Sequence, residues 1–204
     1  MLLPSMSITA VRRELIRDLP GLERRSKTLI RRMEGAVPAA VALQSLVLFY
    51  DQVSGSRNNW ICRVYMGPRS SSATFMTCYY SRRGLGAVTL SKENKLLYFT
   101  EHLLQRYNER RNLGLIRPDE VIRAFMNDNY SFHFERLEDI YPGVSKIFCR
   151  TESGVLLGTA HEKLDLLKMN TFLTTAMLKG NQVEMEAQLS EALEKYKNSA
   201  DRLE

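Results

Sequence analysis

Ile8, Val11, Leu15, Ile16 and Leu19 recur at helical spacing, with Arg12, Arg13, Glu14, Arg17 and Asp18 between them. That is the pattern of an amphipathic helix with one buried stripe. Pro20-Gly21 is expected to interrupt it. A second helical stripe follows, Leu22, Leu29, Ile30 and Met33, with Arg24, Arg25, Lys27, Arg31 and Arg32 on the other side. The apolar run from Ala36 to Tyr50, with Pro38 suited to a first turn, predicts a third and mostly buried helix. Beyond the polar loop at residues 54–59 the period shortens. Runs rich in β-branched and aromatic residues at 60–66, 74–80, 87–90 and 96–99 predict an antiparallel meander, separated by Gly, Pro, Ser and Asn turn residues.

Thr100 is a good N-cap and Glu101 suits the positive end of a helix dipole, so a helix is expected through Arg111, where Asn112 and Gly114 stop it. Pro118-Asp119-Glu120 starts another, to about Met126. Strands are then predicted at 146–151 and 155–162, paired as a hairpin around Glu152-Ser153-Gly154, with a third at 166–174. Met185, Leu189, Leu193 and Tyr196 set a final helical stripe. It would pack on the chain's own sheet, with a homodimer through the C-terminal helix as the other use of such a surface. Helices, strands, helices, strands and a helix in that order define an α+β protein. We read residues 1–204 as a single α+β domain, with 1–95 and 96–204 as the alternative subdivision.

The 204 residues are 44% hydrophobic and 25% charged, with 11 Gly and 6 Pro, which excludes collagen-like, low-complexity and largely disordered chains. Lys and Arg number 29 against 23 Asp and Glu, a net +6 made up of +4 over residues 1–35, +4 over 36–174 and −2 over the acidic segment 175–204. Such a balance favours RNA or another polyanion as partner. The opening residues lack the apolar core of a secretory signal, and no apolar run spans a bilayer, so the expectation is a cytoplasmic protein without membrane contact. Cys62, Cys78 and Cys149 form no CxxC pair and read as buried free thiols. No metal is expected, because His102, His133 and His161 are isolated from one another in sequence. No cofactor is expected either, since the glycines lack phosphate-loop or dinucleotide spacing.

The densest chemistry lies in residues 100–111, Thr-Glu-His-Leu-Leu-Gln-Arg-Tyr-Asn-Glu-Arg-Arg. At about 100° per residue, Leu103, Leu104 and Tyr107 form an apolar face, and His102, Arg106, Glu109 and Arg110 share a polar band beside it. An imidazole exchanges protons near neutral pH and a guanidinium holds phosphate oxygens bidentately, so the group suits phosphoryl chemistry. Glu109 could orient His102 or pair with an arginine. A solvated outer face is the commoner setting for such a band.

This helix with its His-x-x-x-Arg, the short helix opened by Pro118-Asp119-Glu120-Val121, and the strands carrying Gly154-Val155-Leu156-Leu157-Gly158 and Leu167-Lys168-Met169-Asn170-Thr171-Phe172 resemble the RelE and barnase-like toxin-type endoribonucleases over residues 96–175. The resemblance implies metal-independent RNA cleavage by the ribose 2′-hydroxyl. His102 would then be general base or acid, Arg106 and Arg110 would stabilise the phosphorane, and Thr171 would position a phosphate oxygen. His161, Lys168 and Arg111 would bind substrate. Two other readings rest on the residues alone. The N-terminal arginines, with Arg82 and Arg83 near Tyr65, Phe75, Tyr79 and Tyr80, could form a noncatalytic nucleic-acid-binding surface. Alternatively, the chain could be a structural or oligomerising protein. Strand alternation puts Tyr79 and Tyr80 on opposite faces, and Trp60 and Phe75 are expected in the core.

Overall fold

The computed structural model describes residues 1–36, 45–68, 70–81 and 84–200, with residues 36 and 192–200 described by backbone alone. The chain forms α1 (Ile8–Ala36), β1 (Leu46–Val53), β2 (Asn59–Met66), β3 (Ser71–Ser81), β4 (Gly84–Leu90) and β5 (Leu96–Phe99). Two helices follow, α2 (Glu101–Arg110) and α3 (Pro118–Asp128). Then come β6 (His133–Tyr141), β7 (Val144–Thr151), β8 (Gly154–His161), β9 (Leu166–Leu173) and α4 (Asn181–Ala200). All nine strands join one sheet in the order β1-β2-β3-β4-β5-β9-β8-β7-β6. Every pair is antiparallel except β5 and β9, which run parallel from Leu96↔Leu166 to Phe99↔Met169. The protein is therefore α+β, built from two meanders fused edge to edge, and the sheet runs without a break across residue 95.

Strand alternation sorts the core into two sides. Trp60, Cys62, Phe75, Tyr79, Val88 and Tyr98 face α1 and meet its Val11, Leu15 and Leu22. Their neighbours Ile61, Met76, Ala87, Leu97 and Phe99 face the opposite way, against Leu103, Leu104 and Tyr107 of α2 and Ile122 and Phe125 of α3. Nine flat strands would span about 38 Å, whereas two helices side by side cover only about 20–24 Å. The sheet accordingly curls around α2 and α3. Phe49 of β1 and Phe134 of β6, from its two edges, pack on the same core, and Arg123 of α3 pairs with Asp51 of β1 at 2.5 Å. On the α1 side, the far end of the sheet is covered by α4, whose Met185 and Leu189 pack with Phe148 and Val155. Arg150 fastens this helix by pairing with Glu186 at 2.7 Å. The described part of the C-terminal stripe is thus spent within the chain; Leu193 and Tyr196 lie outside the described side chains.

Two expectations are corrected, and one strand is added. Pro20 does not interrupt the first helix, which runs unbroken for 29 residues. The ring sits on the exposed side, so the carbonyl it leaves without a donor can turn to water, while buried Leu15 and Leu22 hold both flanks to the sheet. The apolar run expected to form a third helix contains β1 from Leu46 onward, paired over eight residues with β2; residues 37–44, with Pro38, lie outside the described residues. Short apolar runs have no period to separate helix from strand. Finally, β6 had no counterpart in the sequence reading, because two irregularities between Arg136 and Tyr141 break its alternation.

Candidate functional site

The helix α2 forms for the expected reasons. The Thr100 hydroxyl accepts from Leu103 N at 3.3 Å, and Leu103, Leu104 and Tyr107 are buried. The Tyr107 ring meets Phe125 and Phe172 edge-on at 5.2 and 5.3 Å. Its hydroxyl donates to Asp128 at 2.7 Å, and burial together with that carboxylate pushes its pKa far above the usual phenol value.

The polar band is occupied internally. Arg106 pairs with Glu109 at 2.8 Å, so Glu109 does not orient His102. Arg110 donates to the Phe172 carbonyl, tying α2 to β9. Arg111 reaches Asp128 at 3.4 Å. His102 is exposed and makes no hydrogen bond among the described residues. The cleft beside the helix, about 250 Å³, is lined by Leu85, Leu104, Ile116 and Val121 with Glu101 and Gln105, and not by His102, Arg106, Arg110 or Arg111.

The strand residues of the same constellation lie on the other side of the sheet. Lys168 sits opposite Tyr98 and Thr159 in the ladder, on the face of the α1 core, and Thr171 sits opposite Leu157, which packs toward α4. His161 Nε2 and Thr159 Oγ1 are 3.0 Å apart. Burial, then the charge of Lys168, lowers the His161 pKa from its usual value. The sheet therefore separates His102, Arg106, Arg110 and Arg111 from Thr171, His161 and Lys168, and the seven do not share a cleft. Phe172, next to Thr171, faces α2.

The cations of α1 are disposed differently. At about 100° per residue, Arg13, Arg17, Arg24, Lys27 and Arg31 fall within an arc of about 80°, opposite the packed side, and extend over about 27 Å. All five are exposed. Arg17 pairs with Glu14 and donates to Ser56; Arg24, Lys27 and Arg31 have no carboxylate partner among the described residues. Arg25 beside them lies over the Tyr50 ring at 5.7 Å. The helix is held rigidly. Its buried Asp18 accepts from Ser54 Oγ and Asn58 Nδ2 at 2.7 Å and from Trp60 Nε1 at 3.1 Å, and its buried Ser26 meets the Tyr50 hydroxyl at 2.6 Å. The meander arginines Arg82 and Arg83 lie outside the described residues.

One functional candidate escaped the sequence reading. Arg63 of β2 is only 4% exposed, on the same face as Ile61. Burial lowers its pKa, and Tyr130, Glu152 and Tyr65 offset part of that effect. The signal was available: in Trp60-Ile61-Cys62-Arg63-Val64-Tyr65 a charge stands in an otherwise apolar strand with no polar alternation to place it outside. No protein-family model, curated protein or solved structure matches the chain. No described helix is long and apolar enough to cross a membrane.

Proposed function

We propose that the protein is a noncatalytic nucleic-acid-binding module that lays the outer face of α1 along a phosphate backbone. The observation that carries this reading is the row of Arg13, Arg17, Arg24, Lys27 and Arg31 on one face of α1, exposed and, from residue 24 onward, without carboxylate partners among the described residues. A rigid row of cations neutralises successive phosphates and releases their counterions, so affinity is sequence-tolerant and falls steeply with salt. The guanidiniums of α2 are less suited to this work, being tied to Glu109, Asp128 and a β9 carbonyl.

Fluorescence anisotropy with labelled RNA and DNA oligonucleotides across a salt series tests the reading. Replacing Arg24, Lys27 and Arg31 together by Gln is expected to reduce the slope of log K against log salt by about 2–3. Binding that is insensitive to salt, or unchanged by the triple substitution, overturns it. The oligonucleotide is expected to remain intact. Cleavage in EDTA that disappears in His102→Ala would replace this reading with the RNA-cleaving one.

A further inference from the structure

Arg63 has a feature that nucleic-acid binding along α1 does not use. Its guanidinium lies between two rings, 5.8 Å from the centroid of Tyr65 and 5.4 Å from that of Tyr130, and its Nε is buried with no hydrogen-bond partner among the described residues. Directly across the β2–β3 ladder stands Thr74, whose Oγ1 is also buried and has no hydrogen-bond partner among the described residues. Directly opposed residues of an antiparallel pair project on the same side, within about 5 Å of each other. Two orphaned polar groups therefore adjoin on the side of the sheet that faces α3.

A buried cation without a hydrogen-bonded counter-charge is strongly unfavourable, and an unpartnered buried hydroxyl beside it calls for an explanation too. Glu152 is the nearest acidic influence, but its oxygens already accept from Tyr130 N at 3.0 Å, Ser131 N at 3.2 Å and the Ser131 hydroxyl. It moderates the local field without bonding to Arg63.

We propose that Arg63 and Thr74 form a binding site for the carboxylate group of a small organic acid, with Tyr130 as its cover. The Nε edge of a guanidinium presents parallel N–H groups that match the two oxygens of a carboxylate, and contact with the Tyr65 ring steadies that fork. The Thr74 hydroxyl adds a third donor. A single cation with Glu152 nearby suits a monoanion better than a doubly charged phosphate. Tyr130 is 50% exposed and its ring contact is with Arg63, so rotation about its own side-chain bonds uncovers the site while the backbone stays fixed to Glu152.

The test is calorimetric titration of the full chain with benzoate, with acetate, benzamide and inorganic phosphate as separate arms, and in parallel the NMR signal of the Arg63 Nε–H group. Saturable benzoate binding that shifts that signal is expected, with no binding of the neutral benzamide. Arg63→Met and the isosteric Thr74→Val should each weaken benzoate by about tenfold or more, the loss expected of charge-assisted hydrogen bonds. Arg63→Met should not lower the melting temperature, since it removes an unpaired buried charge. Should it fail to fold, the resident charge is structural and the proposal is overturned; Thr74→Val supplies the independent arm. The absence of saturable binding by both carboxylates, or binding that ignores both substitutions, also overturns it. Phosphate binding with the same residue dependence overturns the choice of carboxylate.

Discussion

Asp18→Ala tests what fixes the basic helix to the sheet. The carboxylate is 6% exposed and serves three donors, Ser54, Asn58 and Trp60. Removing it leaves Trp60 Nε1 and Asn58 Nδ2 without an acceptor, on residues that are 1% and 3% exposed. Each orphaned buried donor costs about 1–3 kcal/mol, while Ser54 can turn elsewhere and the desolvation of the carboxylate is recovered, so the net loss should be about 2–4 kcal/mol. Urea unfolding followed by fluorescence is a direct assay, because Trp60 is the single tryptophan and its indole touches the altered group. A loss below about 1 kcal/mol would refute the reasoning. The pH dependence adds a second check. Burial raises the Asp18 pKa, but the hydrogen bonds from Asn58, Ser54 and Trp60 outweigh it and bring the value below the ordinary 3.8. A carboxyl depressed on folding stabilises above its unfolded pKa and loses that contribution as pH falls through the folded one. The gap between wild type and Asp18→Ala should therefore be full at neutral pH and should narrow only in acid, below about pH 4.

Other outcomes follow from single contacts. Gly158→Ala would drive a Cβ into the Lys168 carbonyl oxygen, at the register shift between β8 and β9; thermal unfolding should show a loss of at least about 1–3 kcal/mol. Tyr107→Phe removes the bond to Asp128 but leaves that carboxylate partly solvated and near Arg111, so denaturant titration should register only about 1 kcal/mol. His161 has a folded pKa lowered below 6.5 by burial and by Lys168. The unfolded chain takes up its proton first, so this residue's contribution declines as pH drops through and below about 6.5, and the melting temperature of His161→Gln should fall less than wild type between about pH 7.5 and 5.5.

Where local signals agreed, the fold was legible. Thr100 with the Leu103, Leu104 and Tyr107 stripe carried α2, and the Glu152-Ser153-Gly154 turn carried the β7–β8 hairpin. The run Leu46 to Tyr50 was not, because five apolar residues in a row suit a buried helix and an edge strand equally until β2 pairs with them. Within the candidate site, the helical wheel put His102, Arg106 and Arg110 on one band of a helix that does form over Glu101–Arg110. What each guanidinium bonds to is decided by chain-distant atoms, the Phe172 carbonyl and the Asp128 carboxylate among them. The side on which Thr171 falls depends on the irregularity at Leu157 and Gly158, which no residue pattern announces. Arg63 was legible in type but not in consequence, since only the packed sheet shows that no carboxylate among the described residues bonds to it.

The insertion of β9 between β5 and β8 has a consequence for biosynthesis. Of the described strands, the last to leave the ribosome, β9, lies inside the sheet, so β5 and β8 each keep a bare hydrogen-bonding rim until residues 166–173 arrive. The β5–β9 pairing joins segments remote along the chain, and such pairings slow folding and lengthen the exposure of such rims. A nascent or prematurely terminated chain ending before Leu166 would thus be two sticky half-sheets, and its survival in a cell would depend on shielding by chaperones until translation closes the gap.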